Sequence, residues 1–182
     1  EALPEDNRRM KMESGVAIWL AYQRSQGTRS VAHPYVSLLP DIEHMPDPLR
    51  WVDRPATANA LQASQLREHL DRLNANLTDE LSLFKRHAKS SWAKTLSFDD
   101  FRWAATNVAR RSFMMQIKTP DSGWMDVPCL PPLADLFNTG PSSRINTECA
   151  TNSKSTAFVC YAMTAVQKGE QLLVPYAVGT DS

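Results

Sequence analysis

Cysteine is scarce in this sequence of 182 residues, and the placement of its three cysteines excludes several kinds of site. Cys129, Cys149 and Cys160 form an odd number and contain no Cys-x-x-Cys spacing, which argues against a framework of disulfides. A reducing, intracellular compartment is therefore expected, and cytosol, nucleus and organelle interior fit equally well. We expect Cys160 to be a buried strand residue.

Net charge is lacking as well, because 20 lysine and arginine residues balance 20 aspartate and glutamate residues. The balance gives no sign of a nucleic-acid footprint over the whole domain. No apolar run approaches the length of a membrane-spanning helix, so no membrane partner is expected. Residues 1–6 lack an initiator Met and the features of a signal peptide, so we expect a fragment, a processed form or part of a longer protein.

Common nucleotide, metal and hydrolase motifs are missing from the sequence. It contains no Gly-x-Gly-x-x-Gly, no phosphate-binding loop and no His-Glu-x-x-His. All four histidines precede all three cysteines, and no ligand spacing joins them, so we expect no metal site. We expect His69 and His87 to be polar groups on helix surfaces.

Composition divides the chain into a mainly helical region, 1–118, and a region of short strands and loops, 119–182. This order predicts an α+β class. In the first region, a largely apolar helix is predicted over Arg8–Arg24, and a buried position follows from that composition. A second helix is predicted from Pro55 onward, through leucines at helical spacing, and a third from Thr78.

Two local signals are clearer than the rest. Ser97-Phe98-Asp99-Asp100 has the form of a capping box, with an acidic residue three positions after a serine, and predicts the start of another helix. Further on, Thr156–Met163 is typical of a strand and Gln167–Glu170 of a turn. Gln171–Val174 then predicts a returning strand, so that the three segments form a hairpin.

A series of motifs in fixed order covers the second half of the chain. They are Pro132-Leu133-Ala134-Asp135-Leu136-Phe137-Asn138, Asn146, Phe158, Lys168-Gly169-Glu170-Gln171 and Tyr176. Upstream of them stand Phe101-Arg102-Trp103-Ala104, Val108 and Arg111-Ser112-Phe113. This order resembles the SET-domain lysine methyltransferases of the RuBisCO large-subunit methyltransferase type, in which the corresponding motifs end on Asn-His and Tyr-Gly.

The resemblance implies an incomplete SET domain, consisting of a SET-like β-clip half and a large helical insert. It implies an enzyme that transfers a methyl group from S-adenosyl-L-methionine to a protein lysine. In-line displacement at a sulfonium centre needs positioning more than acid–base catalysis. It also needs a neutral amine, which burial of a lysine favours.

The resemblance also implies which residues form the site. The implied catalytic residue is Tyr176, whose hydroxyl orients the amine. The implied cofactor-binding residues are Asn138, Thr139 and Arg111. The implied substrate-binding residues are Phe113, which lines the lysine channel, and Asp135 at its edge. An aromatic residue at position 113 favours lysine over histidine as the target.

The chain departs from the family at Thr139, where the family has His, and at Ala177, where the family has Gly. The family's Gly-rich amino-terminal strands and its following helical domain have no counterpart in this sequence. These departures support an alternative, a degenerate SET-like domain that acts as a structural or protein-binding subunit of a larger assembly. Either way the expected partner is a protein.

Overall fold

Helices and strands are segregated along the chain, which gives a mixed α+β architecture. The structure is a computed structural model that describes residues 10–45, 48–51, 54–62, 64–119, 123–152 and 157–176. Contacts divide the chain into two units, Glu1–Arg110 and Arg111–Ser182. The predicted α+β class is confirmed at this level.

The first unit is built from helices joined by turns. Its helices are α1 Met12–Ser25, α2 His33–Val36, α3 Pro55–Leu61, α4 Gln65–His87, α5 Ser91–Thr95 and α6 Phe98–Arg111, whose last residue belongs to the second unit. The separate helix predicted from Thr78 is wrong, because Thr78 lies inside α4. Its hydroxyl donates to the carbonyl of Asn74 at 2.9 Å, so the threonine is accommodated within the helix.

The first helix was expected to be buried, but two of its large side chains are exposed. Residues 8 and 9 of the predicted first helix lie outside the described residues, and within α1 the side chains of Trp19 and Tyr22 are 46% and 41% exposed. His69 and His87 are exposed on α4, as predicted.

No described helix is both long and apolar enough to cross a lipid bilayer.

The capping signal at Ser97 is confirmed, since α6 begins at the next residue. Ser97 Oγ accepts a hydrogen bond from the Asp100 amide at 3.0 Å and donates one to Asp100 Oδ2 at 2.6 Å. Aspartate is one carbon shorter than the glutamate usual at this position, and here it contacts the capping hydroxyl. One otherwise unpaired amide of the first turn is thereby satisfied.

Trp103 of α6 is buried in the helical unit, with a relative exposure of 1%. Its indole Nε1 donates to the Pro40 carbonyl at 2.9 Å, which satisfies the buried polar atom. The Arg24 guanidinium stacks 4.2 Å from the centre of the indole ring and bonds to Asp41 at 2.7 Å. Other buried apolar side chains of the helical unit are Ala17, Leu20, Leu70, Phe101, Ala104 and Val108.

Among the described residues of the second unit, two antiparallel strand pairs form the sheets. Strand β1, Phe113–Thr119, pairs with β2, Gly123–Cys129, and β3, Thr147–Thr151, pairs with β4, Phe158–Ala162. Residues 113–118, the end of the region predicted to be mainly helical, belong to strand β1. Helix α6 ends at Arg111, and the sequence after Ser112 is extended.

The strand predicted over Thr156–Met163 is confirmed as β4, although residue 156 lies outside the described residues. The predicted turn is also present: the Glu170 amide donates to the Gln167 carbonyl at 3.0 Å, and Gly169 has a φ of 85°, which favours glycine. The predicted pairing is wrong, since β4 pairs with the preceding strand β3 rather than with residues 171–174.

A disulfide joins Cys149 in β3 to Cys160 in β4. The two residues are directly opposite in the strand register, with Cα atoms 4.1 Å apart. The expectation of no disulfide is therefore wrong, because pairing of the strands brings together cysteines that no sequence motif links. Cys160 is half-buried rather than buried, and Cys129 carries a free thiol.

Candidate functional site

Two distant segments of the second unit meet at Asn138 and Leu173. Their backbones form an isolated parallel bridge, and the Val174 amide donates to the Asn138 carbonyl at 2.9 Å. The segment Gln171–Val174, which was predicted to be a returning strand, forms this isolated bridge instead of a regular strand. We refer to residues 135–139, 146–147 and 170–176 as the crossing cluster.

The buried side chain of Asn146 connects the segments of the crossing cluster. Its Oδ1 accepts from the Leu173 amide at 2.9 Å and from Thr147 Oγ1 at 3.1 Å. Its Nδ2 donates to the Gln171 carbonyl at 3.0 Å and to Glu170 Oε1 at 3.4 Å. Asn146 is 5% exposed, so these hydrogen bonds are largely shielded from water.

Asn146 belongs to the motif series, but the sequence predicts no role for it. Its amide group both donates and accepts, which is the capacity needed to join a carbonyl and an amide on another segment. The polar loop in which it stands carries no local signal of burial. Only the position of Leu173 beside it, 27 residues further along the chain, shows what the side chain does.

Tyr176 ends the crossing cluster with an exposed side chain. Its hydroxyl donates to the Phe137 carbonyl at 2.9 Å, although the two residues are 39 positions apart. With its proton committed to that carbonyl, the phenolic oxygen retains lone pairs that can accept a hydrogen bond from an amine. Asn138 and Thr139 are exposed on the segment that follows Phe137. The implied catalytic residue is therefore hydrogen-bonded to the segment that carries two of the implied cofactor residues.

The implied residues Arg111 and Asp135 contact each other. Arg111 Nη1 lies 3.6 Å from Asp135 Oδ2 and donates to the Asp135 carbonyl at 3.4 Å. The Asp135 carboxylate is fully buried, whereas the Arg111 side chain is 22% exposed. Burial of a carboxylate requires a compensating charge or hydrogen bonds, and Arg111 supplies a charge. Their cofactor and substrate roles stay predictions.

Phe113, the implied lysine-channel residue, packs on β4. Its ring meets the ring of Phe158 edge to face, with centroids 5.2 Å apart and planes at 65°. Opposite it in the strand pair, Cys129 donates its thiol hydrogen to the Phe113 carbonyl at 3.4 Å. Burial raises the pKa of the Cys129 thiol.

An exposed pair that the sequence did not predict lies across β3 and β4. The Tyr161 hydroxyl donates to Glu148 Oε2 at 2.5 Å. That hydrogen bond raises the pKa of Tyr161, with further contributions from desolvation and from the negative charge of Glu148. The pair is adjacent in sequence to both disulfide cysteines.

Comparison with known proteins adds no family to this geometry. No protein-family model matches the chain, and no curated protein matches it. Within the described ranges, no group of three or more histidine, cysteine, aspartate and glutamate side chains is placed to hold a metal ion.

Proposed function

We propose that this protein transfers a methyl group from S-adenosyl-L-methionine to a lysine of another protein. The crossing cluster carries the proposal, because Asn138, Asn146 and Tyr176 come from three separate motifs and converge there. The same proposal takes the second unit as a SET-like β-clip half and the helical unit as its insert.

Tyr176 has the chemistry that amine positioning requires. Its hydroxyl is fixed by the Phe137 carbonyl, and its exposed oxygen can accept a hydrogen bond from the substrate amine. An amine held in this way keeps its lone pair directed for in-line attack, and such positioning supplies much of the acceleration in displacement reactions.

The cofactor supplies a methyl group on a sulfonium centre. Its polar end needs hydrogen-bond donors and acceptors, and the exposed side chains of Asn138 and Thr139 offer both next to Phe137. Arg111 adds guanidinium donors near the same segment, since it already bonds to the Asp135 carbonyl. These residues fit the chemistry of the cofactor, and we assign them to its binding.

Calorimetric titration of the full-length protein with S-adenosyl-L-methionine tests the proposal, followed by transfer of labelled methyl groups to proteins of a cell extract. We expect binding and incorporation. Tyr176→Phe should lower turnover by about tenfold or more and change cofactor affinity by less than about threefold. Tyr161→Phe is the matched control, because Tyr161 is also exposed but bonds to Glu148 outside the crossing cluster. Equal losses of turnover and affinity in Tyr176→Phe would contradict its role.

A non-catalytic, protein-binding domain is the second candidate function. The β1–β2 pair favours it, since Met114 and Trp124 are each 56% exposed and large exposed apolar side chains often mark protein contacts. Absence of both cofactor binding and methyl incorporation would exclude the enzyme and leave this alternative. The Met114→Ser/Trp124→Ser double variant would then be expected to lose its assembly partner in co-purification.

The intracellular, reducing location belongs to the same set of predictions. The Cys149–Cys160 disulfide removes the argument from cysteine usage on which it was based. Trapping of free thiols in intact cells, followed by mass spectrometry of the two cysteines, tests whether the bond exists at the site of action.

A further inference from the structure

A cavity of about 510 Å³ lies in the helical unit, between the start of α1, the middle of α4 and the second half of α6. We refer to it as the Glu80 cavity. Its volume falls within the range of small-molecule pockets. The apolar part of its lining includes Leu49, Leu73, Leu77, Ala105, Val108 and Ala109.

Glu80 places a carboxylate at the edge of this apolar surface. Its side chain is only 15% exposed. The hydroxyl of Ser14, a residue that is 5% exposed, donates to Oε2 and fixes the carboxylate in place. The Nζ atom of Lys11 lies 3.3 Å from Oε1, and the Lys11 side chain is 65% exposed.

The contact with Lys11 shows what kind of group the carboxylate accepts. An ammonium on an aliphatic stem already occupies Oε1, but it comes from an exposed residue on the rim. The gain from this pair is small, because water screens the exposed Lys11 ammonium and its long side chain must be ordered to reach Glu80. A ligand ammonium whose stem is buried against the leucines would gain apolar contacts that Lys11 does not make.

We propose that the Glu80 cavity binds a primary alkylammonium ligand. Its apolar stem occupies the space between α4 and α6, and its ammonium replaces that of Lys11 on Glu80. The negative charge of Glu80 sets the specificity, because a neutral ligand of the same shape gains only the apolar contacts. This site is separate from the residues assigned to methyl transfer and does not depend on that activity.

Calorimetric titration of the full chain with hexylammonium and with 1-hexanol, which has a stem of the same length, tests this site. We expect hexylammonium to bind about tenfold more tightly than hexanol, as one charge-assisted hydrogen bond provides. Glu80→Gln keeps the size of the side chain and should reduce this preference to less than about threefold. Asp79→Asn is the matched control, because Asp79 is exposed on the same helix outside the cavity lining, and it should leave the preference unchanged.

A second variant keeps the test decisive if Glu80→Gln disturbs folding. Lys11→Met keeps an apolar stem and removes the competing ammonium, so it should raise hexylammonium affinity by about threefold or more. Equal affinity for hexylammonium and hexanol would overturn the proposal. So would an undiminished preference in folded Glu80→Gln, or no hexylammonium binding to Lys11→Met.

Discussion

Replacement of Asn146 by alanine is the perturbation that most directly tests how the crossing cluster is held together. The variant removes a side chain whose two polar atoms make four hydrogen bonds to Leu173, Thr147, Gln171 and Glu170. The backbone of residue 146 and its own bonds remain.

The magnitude depends on which partners lose access to a hydrogen bond. Leu173 is 4% exposed and Thr147 is 2% exposed, so the Leu173 amide and the Thr147 hydroxyl would be left in a buried site. Gln171 and Glu170 are exposed and can bond to water instead. Each buried polar group without a partner costs about 1–3 kcal/mol, and the threonine hydroxyl can rotate, so we expect a loss of about 2–4 kcal/mol.

Amide hydrogen exchange of the native protein measures this loss at the affected atoms. A loss of about 2–4 kcal/mol corresponds to exchange about 30- to 1000-fold faster at the Leu173 and Val174 amides. Asn138→Ala is the matched control, because its bond in the cluster is made by the backbone carbonyl, which alanine keeps. That control should stay within about 0.5 kcal/mol of the wild type.

The variant Asn146→Asp tests the hydrogen-bond acceptor and donor roles of this side chain separately. It keeps an acceptor for Leu173 but places a second acceptor against the Gln171 carbonyl and the Glu170 carboxylate. The second unit should therefore lose stability at neutral pH and recover part of it in acid, where the new carboxyl regains a proton to donate. Unchanged exchange at Leu173 in Asn146→Ala would refute the assignment of Asn146 as the connecting residue.

Three further predictions concern other parts of the molecule. Ser97→Ala should lower the free energy of unfolding of the helical unit by about 1 kcal/mol in urea titrations, and an equal loss in the capping-competent Ser97→Thr would contradict the capping role. Reduction of the Cys149–Cys160 bond, which spans 11 positions, should cost the second unit up to about 3 kcal/mol in thermal melts, whereas Cys149→Ser should not respond to reductant. The raised pKa of Cys129 favours the neutral thiol in the folded state, so its stabilising effect is present below the ordinary thiol pKa and is lost as pH rises through the folded value. Iodoacetamide at a pH of about 8 should accordingly react with folded Cys129 several-fold more slowly than with the urea-unfolded chain, and equal rates would contradict the shift.

Local features of the fold could be predicted from the sequence because their causes lie within a few residues. Ser97 and Asp100 contact each other within the first turn of α6. Gly169 permits the positive φ of the turn that Gln167 and Glu170 close. The apolar and β-branched composition that predicts β4 is equally local. In each case the residues that decide the structure are neighbours in the chain.

Strand partners could not be predicted in the same way. β1 follows α6 after a single residue, and its apolar composition is compatible with continued helix until its pairing with β2 is known. β4 has a turn and a possible partner immediately after it, yet it pairs with β3. Pairing energy depends on register and on side chains from both strands, and neither is specified by one strand alone.

The sequence by itself determined the helical first part, the cap at Ser97 and the candidate residues Asn138 and Tyr176, since short-range patterns and motif order define them. Only the tertiary structure decided that Asn146 joins their segments and that Cys149 lies opposite Cys160. Hydrogen bonds and disulfides act over a few ångströms, so they depend on which distant segments the fold brings together.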